Sequence, residues 1–235
     1  MTMMLRMAGT LGQRLEVDPA LVGWWKFDGN LTDASGNGNH GTVGAGSAAY
    51  AAGVYGQAWD NDETRYVNCG NSTSLQITGS ITMSAWIRPT EYPSVAQNGI
   101  LSKFFNTGNQ RAYALAILQT GELRSNISEN GFVTANTDQT SNATIALNKW
   151  SHVAATLDVS TGVRRLYING DLDISTTTGQ TQIHNSTEQL RIGILSIAGL
   201  PEDRRFLGQI DNAMIYNRAL SASEIKTLYA LGSPI

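Results

Sequence analysis

Apolar and polar residues alternate with period two along most of this chain, and that pattern restricts the fold more than any other feature. In SITMSAWIRP (80–89), Ile81, Met83, Ala85 and Ile87 share one face, while Thr82, Ser84, Trp86 and Arg88 share the other. KWSHVAATLD (149–158) sets Val153, Ala155 and Leu157 against Trp150, His152, Ala154 and Thr156. A period of two is that of a strand with one face buried. RAYALAIL (111–118) is apolar on both faces, as a doubly covered strand would be, and GELRSNI (121–127) alternates again. RRLYINGDLD (164–173) carries Asn169-Gly170 between two alternating runs, a strong hairpin signal because both residues tolerate positive φ. QLRIGIL (189–195) and FLGQIDNAMIYNRAL (206–220) supply the last strands.

Helical signals concentrate in SASEIKTLYAL (221–231). Ser221 fits the N-cap and Glu224 the third helical position, a capping box, with Leu220 and Ile225 placed as a hydrophobic staple. Gly232 and Pro234 fit the stop. Many short strands with Gly and Asn turns, closed by one short helix, predict an all-β two-sheet antiparallel jelly-roll sandwich. Only 15% of the 235 residues are charged, which suits such a sandwich better than a helical protein. No Pro-rich or Ser-rich linker divides the chain, so residues 21–235 read as one domain and residues 1–20 as a tail or leading strand.

Charge and cysteine content narrow the function classes. The net charge is −3 without a basic cluster, which argues against nucleic-acid binding. Arg164-Arg165 and Arg204-Arg205 are isolated pairs and read as solvated surface. Cys69 is the single cysteine, so no intrachain disulfide exists and the thiol reads as a small buried apolar group. No apolar run reaches the ~18 residues of a spanning helix, so no membrane insertion is expected. The N-terminus is a poor signal peptide because Arg6 interrupts its apolar run. The chain reads either as intracellular or as a module of a longer secreted protein.

The densest polar stretch is WWKFDGNLTDASGNGNHGT (24–42). Asp28, Asn30, Thr32 and Asp33 lie within six residues, a spacing that invites calcium. It is not an EF-hand: Asp33 stands where that loop needs Gly, Asn39 where it needs Glu, and no amphipathic helices flank it. The residues alone leave two readings, a metal loop or an Asx-turn in a Gly-rich loop, with Asp33 and Ser35 suited to turn bonds. Zinc is not expected, since His40, His152 and His184 have no paired spacing.

LVGWWKFDGNLTDASGNGNHGTV, GVYGQAWDNDETRYVNCGNS, SITMSAWIRP, NKWSHVAATLD, RRLYINGDLD and FLGQIDNAMIYNRALSASEIKTL occur in this order over residues 21–231. Together they resemble the laminin-G-like, concanavalin A-like lectin/glucanase jelly-roll family. The resemblance implies a two-sheet antiparallel jelly roll of the kind attached to bacterial secreted enzymes or adhesins, binding glycans or proteins. It also implies a structural calcium on the outer face of the sandwich. Asp28 and Asp211 match its carboxylate ligands, with backbone carbonyls near Asn30 and His40 completing the shell. Trp86 and Trp150 match framework positions. Beside the first loop, Trp25 reads as packed beneath it and Trp24 as partly exposed.

Catalysis finds little support. Retaining glycosidases on this fold need two carboxylates about 5 to 5.5 Å apart. EVDPAL (16–21) begins like the Glu-x-Asp-x-x-Glu of the related glucanases, but Leu21 stands at its last position and Pro19 breaks the strand, and PEDRR (201–205) points its acids opposite ways. Lyase-like residues exist in Tyr113, His152, Arg124 and Arg191, and no G-x-S-x-G elbow occurs. The first reading is therefore a non-catalytic carbohydrate-binding module whose partner is a glycan or polysaccharide. A protein-interaction or adhesion module is the alternative, and a divergent glycan-active hydrolase or lyase is the third. For the ligand, Lys103, Arg111, Tyr113, Arg124, Asn126, Asn130 and Phe132 lie on three consecutive predicted strands and their turns and read as one solvated sheet face. Either a glycan site or an ordinary exposed face fits that pattern.

Overall fold

Two stacked sheets account for nearly all the regular structure in the computed structural model, which describes residues 18–94, 96–196 and 204–231. The first sheet joins β1 (Leu21–Trp25), β3 (Tyr50–Ala52), β4 (Gln57–Asn61), β6 (Ile81–Pro89), β11 (Ser151–Asp158), β12 (Val163–Ile168), β13 (Asp171–Thr177) and β17 (Gly208–Tyr216). Its order is β13-β12-β11-β6-β17-β4-β3, with β1 also on β17. The second sheet joins β2 (Thr42–Ala45), β5 (Tyr66–Asn68), β7 (Gln97–Phe105), β8 (Gln110–Leu118), β9 (Glu122–Ile127), β10 (Asp138–Thr144) and β14 (Arg191–Ile192) in the order β10-β9-β8-β7-β14-β5-β2. Two short strands, β15 (Ile194–Leu195) and β16 (Arg204–Arg205), pair with each other, and Arg205 meets Gly99 of β7 in parallel. All the other strand pairs are antiparallel. The predicted jelly-roll sandwich is the fold observed. The first 17 residues, with most of the predicted tail, lie outside the described residues.

The alternation read from the sequence sets which side chains fill the space between the sheets. Ile81, Met83, Ala85 and Ile87 of β6 meet Val153, Ala155 and Leu157 of β11 in one core with Leu115, Ile117, Leu123 and Ile127 of the facing sheet. Cys69 joins this core, and burial pushes its thiol well above the usual value. Asn169 and Gly170 take φ of 53° and 81°, the left-handed pair that a tight β12–β13 hairpin requires.

One helix, α1 (Ala222–Leu231), lies on the outer face of the first sheet. Its capping box forms as predicted: Ser221 N–H donates to Glu224 Oε2 at 2.7 Å, and Glu224 N–H donates to Ser221 Oγ at 3.3 Å. Ile225 and Leu228 bury against Ala154, Tyr167, Met214 and Tyr216, the outward-pointing residues of β11, β12 and β17. Arg218 bridges Glu224 at 2.8 Å and Asp18 at 2.5 Å, fastening the first described residue to the helix start. The Arg218 hydrogen bond holds the Glu224 carboxyl down to about 2. The predicted stop at Gly232 and Pro234 lies outside the described residues.

The solvated reading of Arg164 is corrected. Its side chain is wholly buried between the sheets, whereas Arg165 is half-exposed on the outer face. The reason is the strand period itself: Arg164 shares its face with Leu166, a core residue. The guanidinium crosses to the second sheet and donates to the carbonyls of Thr137 (2.8 Å), Asn136 (3.0 Å), Ile127 (3.3 Å) and Ser125 (3.4 Å), and to Gln180 Oε1.

Candidate functional site

The opening loop resolves into two parts with different chemistry. From Trp24 to Asn39 it is closed by Asp33, which is buried and accepts four hydrogen bonds. Its Oδ1 takes Trp24 N–H (3.0 Å) and Ser35 N–H (2.9 Å), and its Oδ2 takes Asn39 N–H (2.9 Å) and Ser35 Oγ–H (2.9 Å). His40 Nδ1 accepts the Asp33 N–H at 3.1 Å. Asn30 makes an Asx-turn to Thr32 N–H and donates to the Asp28 carbonyl, both at 2.9 Å. Trp25 packs fully buried beneath, its Nε1–H on the Asn39 carbonyl at 2.9 Å. Residues 30–40 therefore satisfy one another as a turn network.

The Asp28 carboxylate stands apart from that network and faces Asp211 across the segment 53–56. Asp28 Oδ1 accepts Gln57 N–H at 2.9 Å. Asp211, on β17, accepts Val54 N–H (2.8 Å) and Tyr55 N–H (3.1 Å) through Oδ2 and the Asn212 amide (3.0 Å) through Oδ1. Glycine is required between them, since a Cβ on Gly56 would sit 2.0 Å from Asp28 Oδ1 and one on Gly53 would sit 2.6 Å from Asp211 Oδ2. A register shift in the β17–β6 pairing after Asp211 turns Asp211 and Asn212 away from the core while Ile210 and Ala213 stay within it. Phe27 and Asn212, each next to one of the carboxylates, hold positive φ of 64° and 46°. Such backbone is costly for a bulky residue and gathers where a site needs it.

Burial, and then the negative charge of Asp28, raise the Asp211 carboxyl to about 6 against the lowering effect of its N–H donors. Two mutually repelling carboxylates, one of them buried, form an environment that a hard cation relieves. Among the described residues no group of three or more His, Cys, Asp or Glu converges. An ion here would rest on these two carboxylates and on carbonyl oxygens, a donor set that fits calcium and not zinc. Asn30 is beside Asp28, whereas no hydrogen bond among the described residues joins His40 to Asp28 or Asp211.

The predicted ligand face is only partly one face. Arg111, Arg124 and Asn126 do come together on the outer side of the second sheet, in a cleft of about 270 Å³ completed by Gln97, Phe104, Asn106, Val133, Asp138 and Arg204. Lys103 and Tyr113 are not part of it. They are cross-strand partners pointing inward, exposed by 1% and 0%, so neither reaches a ligand on the outer face. Tyr113 OH donates to the Leu75 carbonyl at 2.9 Å, and Lys103 Nζ to Asn71 Oδ1 at 2.6 Å and to the Glu188 carbonyl. The physical cause is a bulge on β8: Tyr113 pairs with Lys103 and Arg111 with the next residue, Phe104, so Ala112 is extra and Arg111 and Tyr113, two apart in sequence, face opposite sides. Phe104, next to the inward Lys103, is on the outer side, and the bulge brings Arg111 to the same side, 5.7 Å over its ring. Val133, which lines the cleft, is exposed, as is its chain neighbour Phe132.

Within the cleft Asp138 takes Arg124 at 3.4 Å and the Asn126 amide at 2.5 Å. Gln97 Oε1, Asn126 Oδ1, Arg111 Nε and Arg204 Nε are buried without a hydrogen-bond partner. Asp138 is the only carboxylate among the described lining residues, and no second one stands beside it there to make a hydrolytic pair. A serine–histidine contact does exist elsewhere: Ser84 Oγ lies 2.9 Å from His152 Nε2. Both residues are buried on the helix-covered side of the first sheet, and His152 Nδ1 has no partner.

Residues 61–226 match the family Laminin_G_3, the concanavalin A-like lectin/glucanases superfamily, and the chain belongs to it. Among solved structures it is similar to domain 4 of AbnA, an extracellular arabinanase of family GH43 from Geobacillus stearothermophilus, in complex with arabinotriose. The identity is 22% and the TM-score 0.68, over 89% of this chain and 98% of that domain. It is also similar to the binding domain of botulinum neurotoxin DC in complex with rat synaptotagmin II, at 18% identity and TM-score 0.66, over 90% of this chain and 51% of that one. A third is the binding domain of Paraclostridial Mosquitocidal Protein 1, at 20% identity and TM-score 0.70, over 89% and 52%. This chain therefore spans about half of each toxin binding domain. No curated protein matches the sequence.

Proposed function

We propose that this chain is a non-catalytic, lectin-like carbohydrate-binding module whose glycan sits in the cleft of Arg111, Arg124, Asn126 and Arg204. The observation that carries the reading is the set of buried, unpartnered polar atoms in that cleft, on Gln97, Asn126, Arg111 and Arg204. Buried polar atoms without partners are costly, and sugar hydroxyls are donors and acceptors at once. Phe104 and the exposed Val133 add apolar surface for a sugar ring. Support also comes from the arabinotriose complex of the similar arabinanase domain. A protein partner is the second reading, favoured by Phe132 and Val133, which are 51% and 61% exposed beside the cleft. Either role suits a module working outside the cell. Binding to an immobilised glycan panel tests the first reading: saturable binding is expected, at least tenfold weaker in Arg124→Gln. A panel without binders would leave the protein-partner reading.

Calcium belongs to the same proposal as a structural ion held by Asp28, Asp211 and neighbouring carbonyls. It would fasten the first loop to the central strand of the first sheet. Thermal unfolding with calcium in excess, then with chelator, is expected to differ by several degrees. A native-state ligand at a hundred times its Kd adds about 2.7 kcal/mol, and each kcal/mol moves a domain of this size by roughly 2–4 °C. Asp211→Ala should abolish the difference. A shift that persists in both Asp28→Ala and Asp211→Ala would remove the ion from this site.

A further inference from the structure

We propose that the glycan taken by this cleft is acidic, carrying uronic-acid carboxylates. The inference rests on the cleft being the glycan site. Among the described residues, three guanidinium groups, Arg111, Arg124 and Arg204, line the cleft against a single carboxylate, Asp138. The protein as a whole carries a net charge of −3, so this positive concentration is local. Asp138 is shared between Arg124 and Asn126 and offsets one of the three charges. Arg111 spends its terminal nitrogens on the carbonyls of Gly131 (3.2 Å) and Asn106 and lies against the Phe104 ring, which fixes its plane. Its Nε and that of Arg204 are buried and unpaired.

Arg204 is pulled below its usual value by burial and then by the positive charge of Arg124, so these two cations repel each other across the cleft. Like charges held together in a partly desolvated place favour a counter-charge between them. A carboxylate matches the planar fork of an arginine. A neutral sugar would use the amide oxygens of Gln97 and Asn126 and leave the excess charge uncompensated. A uronate answers both, its hydroxyls meeting the amides and its carboxylate meeting Arg204 and Arg124.

Affinity electrophoresis of the whole chain in gels containing alginate or polygalacturonate, each run against its own methyl ester and against arabinan, separates charge from sugar identity. Retardation by at least one acidic polymer is expected. It should be at least tenfold stronger than by the matching ester, fall as salt rises, and be lost in Arg204→Gln and Arg124→Gln. Both variants should keep the wild-type unfolding midpoint within a few degrees, and Arg165→Gln, outside the cleft, should bind as wild type. Equal binding of acid and ester, or binding to arabinan alone that the cleft variants abolish, would overturn the acidic assignment and keep the cleft. Absence of binding to every polymer, or binding that no cleft variant alters, would overturn the cleft reading and this inference with it.

Discussion

Arg164→Leu is expected to cost about 3 to 5 kcal/mol of folding stability, lowering the unfolding midpoint by roughly 10 °C. The side chain is wholly buried, and its terminal nitrogens reach the carbonyls of Ser125, Ile127, Asn136 and Thr137 and the Gln180 amide. Burial lowers its guanidinium to about 10, with the Asp138 charge acting in the opposite direction, so it stays charged at neutral pH. Leucine fills the space of the aliphatic stem and leaves those acceptors without donors. This differs from replacing a complete buried ion pair, where both charges vanish together and the change can be neutral. Arg164→Lys should fall between the two, since an ammonium keeps the charge but cannot span acceptors on both sides. Arg165→Leu, one residue along and facing outward, should stay within about 0.5 kcal/mol. Urea unfolding of the three variants checks this. An Arg164→Leu protein within 1 kcal/mol of wild type, by the scale of ordinary surface substitutions, would mean that the guanidinium does not clamp the sheets.

The second large effect is on acid stability, through His152. The ring is buried beside Ser84 and packed edge-on against Trp86 at 5.5 Å, with Tyr229 of the helix 6.1 Å away. Burial pushes its pKa down to about 3. An unfolded histidine titrates near 6.5, so below that pH the unfolded chain binds a proton that the folded chain refuses. Stability should therefore fall as pH drops from 6.5 toward 3, by about 1.4 kcal/mol per pH unit well inside that window.

Other groups act in the same range. Asp211, raised to about 6, favours the folded state as pH falls through 6 toward 3.8. Glu224, held down to about 2 by Arg218, loses its contribution only below its unfolded value of 4.5. The difference between wild type and His152→Gln isolates the histidine. Between pH 7 and 4.5 the wild type should lose about 2 to 3 kcal/mol more than the variant. Parallel curves would show that the ring is protonated in the folded state.

Much of the architecture was legible because strand periodicity and turn chemistry are local. The faces of β6 and β11, the Asn169-Gly170 hairpin and the Ser221–Glu224 cap each follow from residues a few positions apart. Asp28 and Asp211 are 183 positions apart in sequence (211 − 28), and only the family resemblance joined them in advance. The structure adds the glycine segment between them and the positive φ beside each.

The ligand face was less legible. The extra residue at Ala112 puts Arg111 and Tyr113 on opposite faces, and nothing in NQRAYAL marks it, so plain alternation sets Tyr113 on the wrong side; Lys103 alternates in phase with the core residue Leu101, and its charge obscures that phase. Arg204 was missed because it comes from a distant strand and read as surface. Arg164 had a usable signal: it alternates in phase with Leu166, and its charge obscured that phase.

The most direct test of the glycan-binding account is a crystal structure of this chain with an oligosaccharide that it binds. A sugar is expected on the outer face of the second sheet. It should lie within hydrogen-bond distance of Arg124 or Arg204 and of an amide oxygen of Gln97 or Asn126, with the Asp28–Asp211 pair on the opposite sheet away from it. A sugar seated anywhere else, with the cleft of Arg111, Arg124 and Arg204 filled only by solvent, would contradict it.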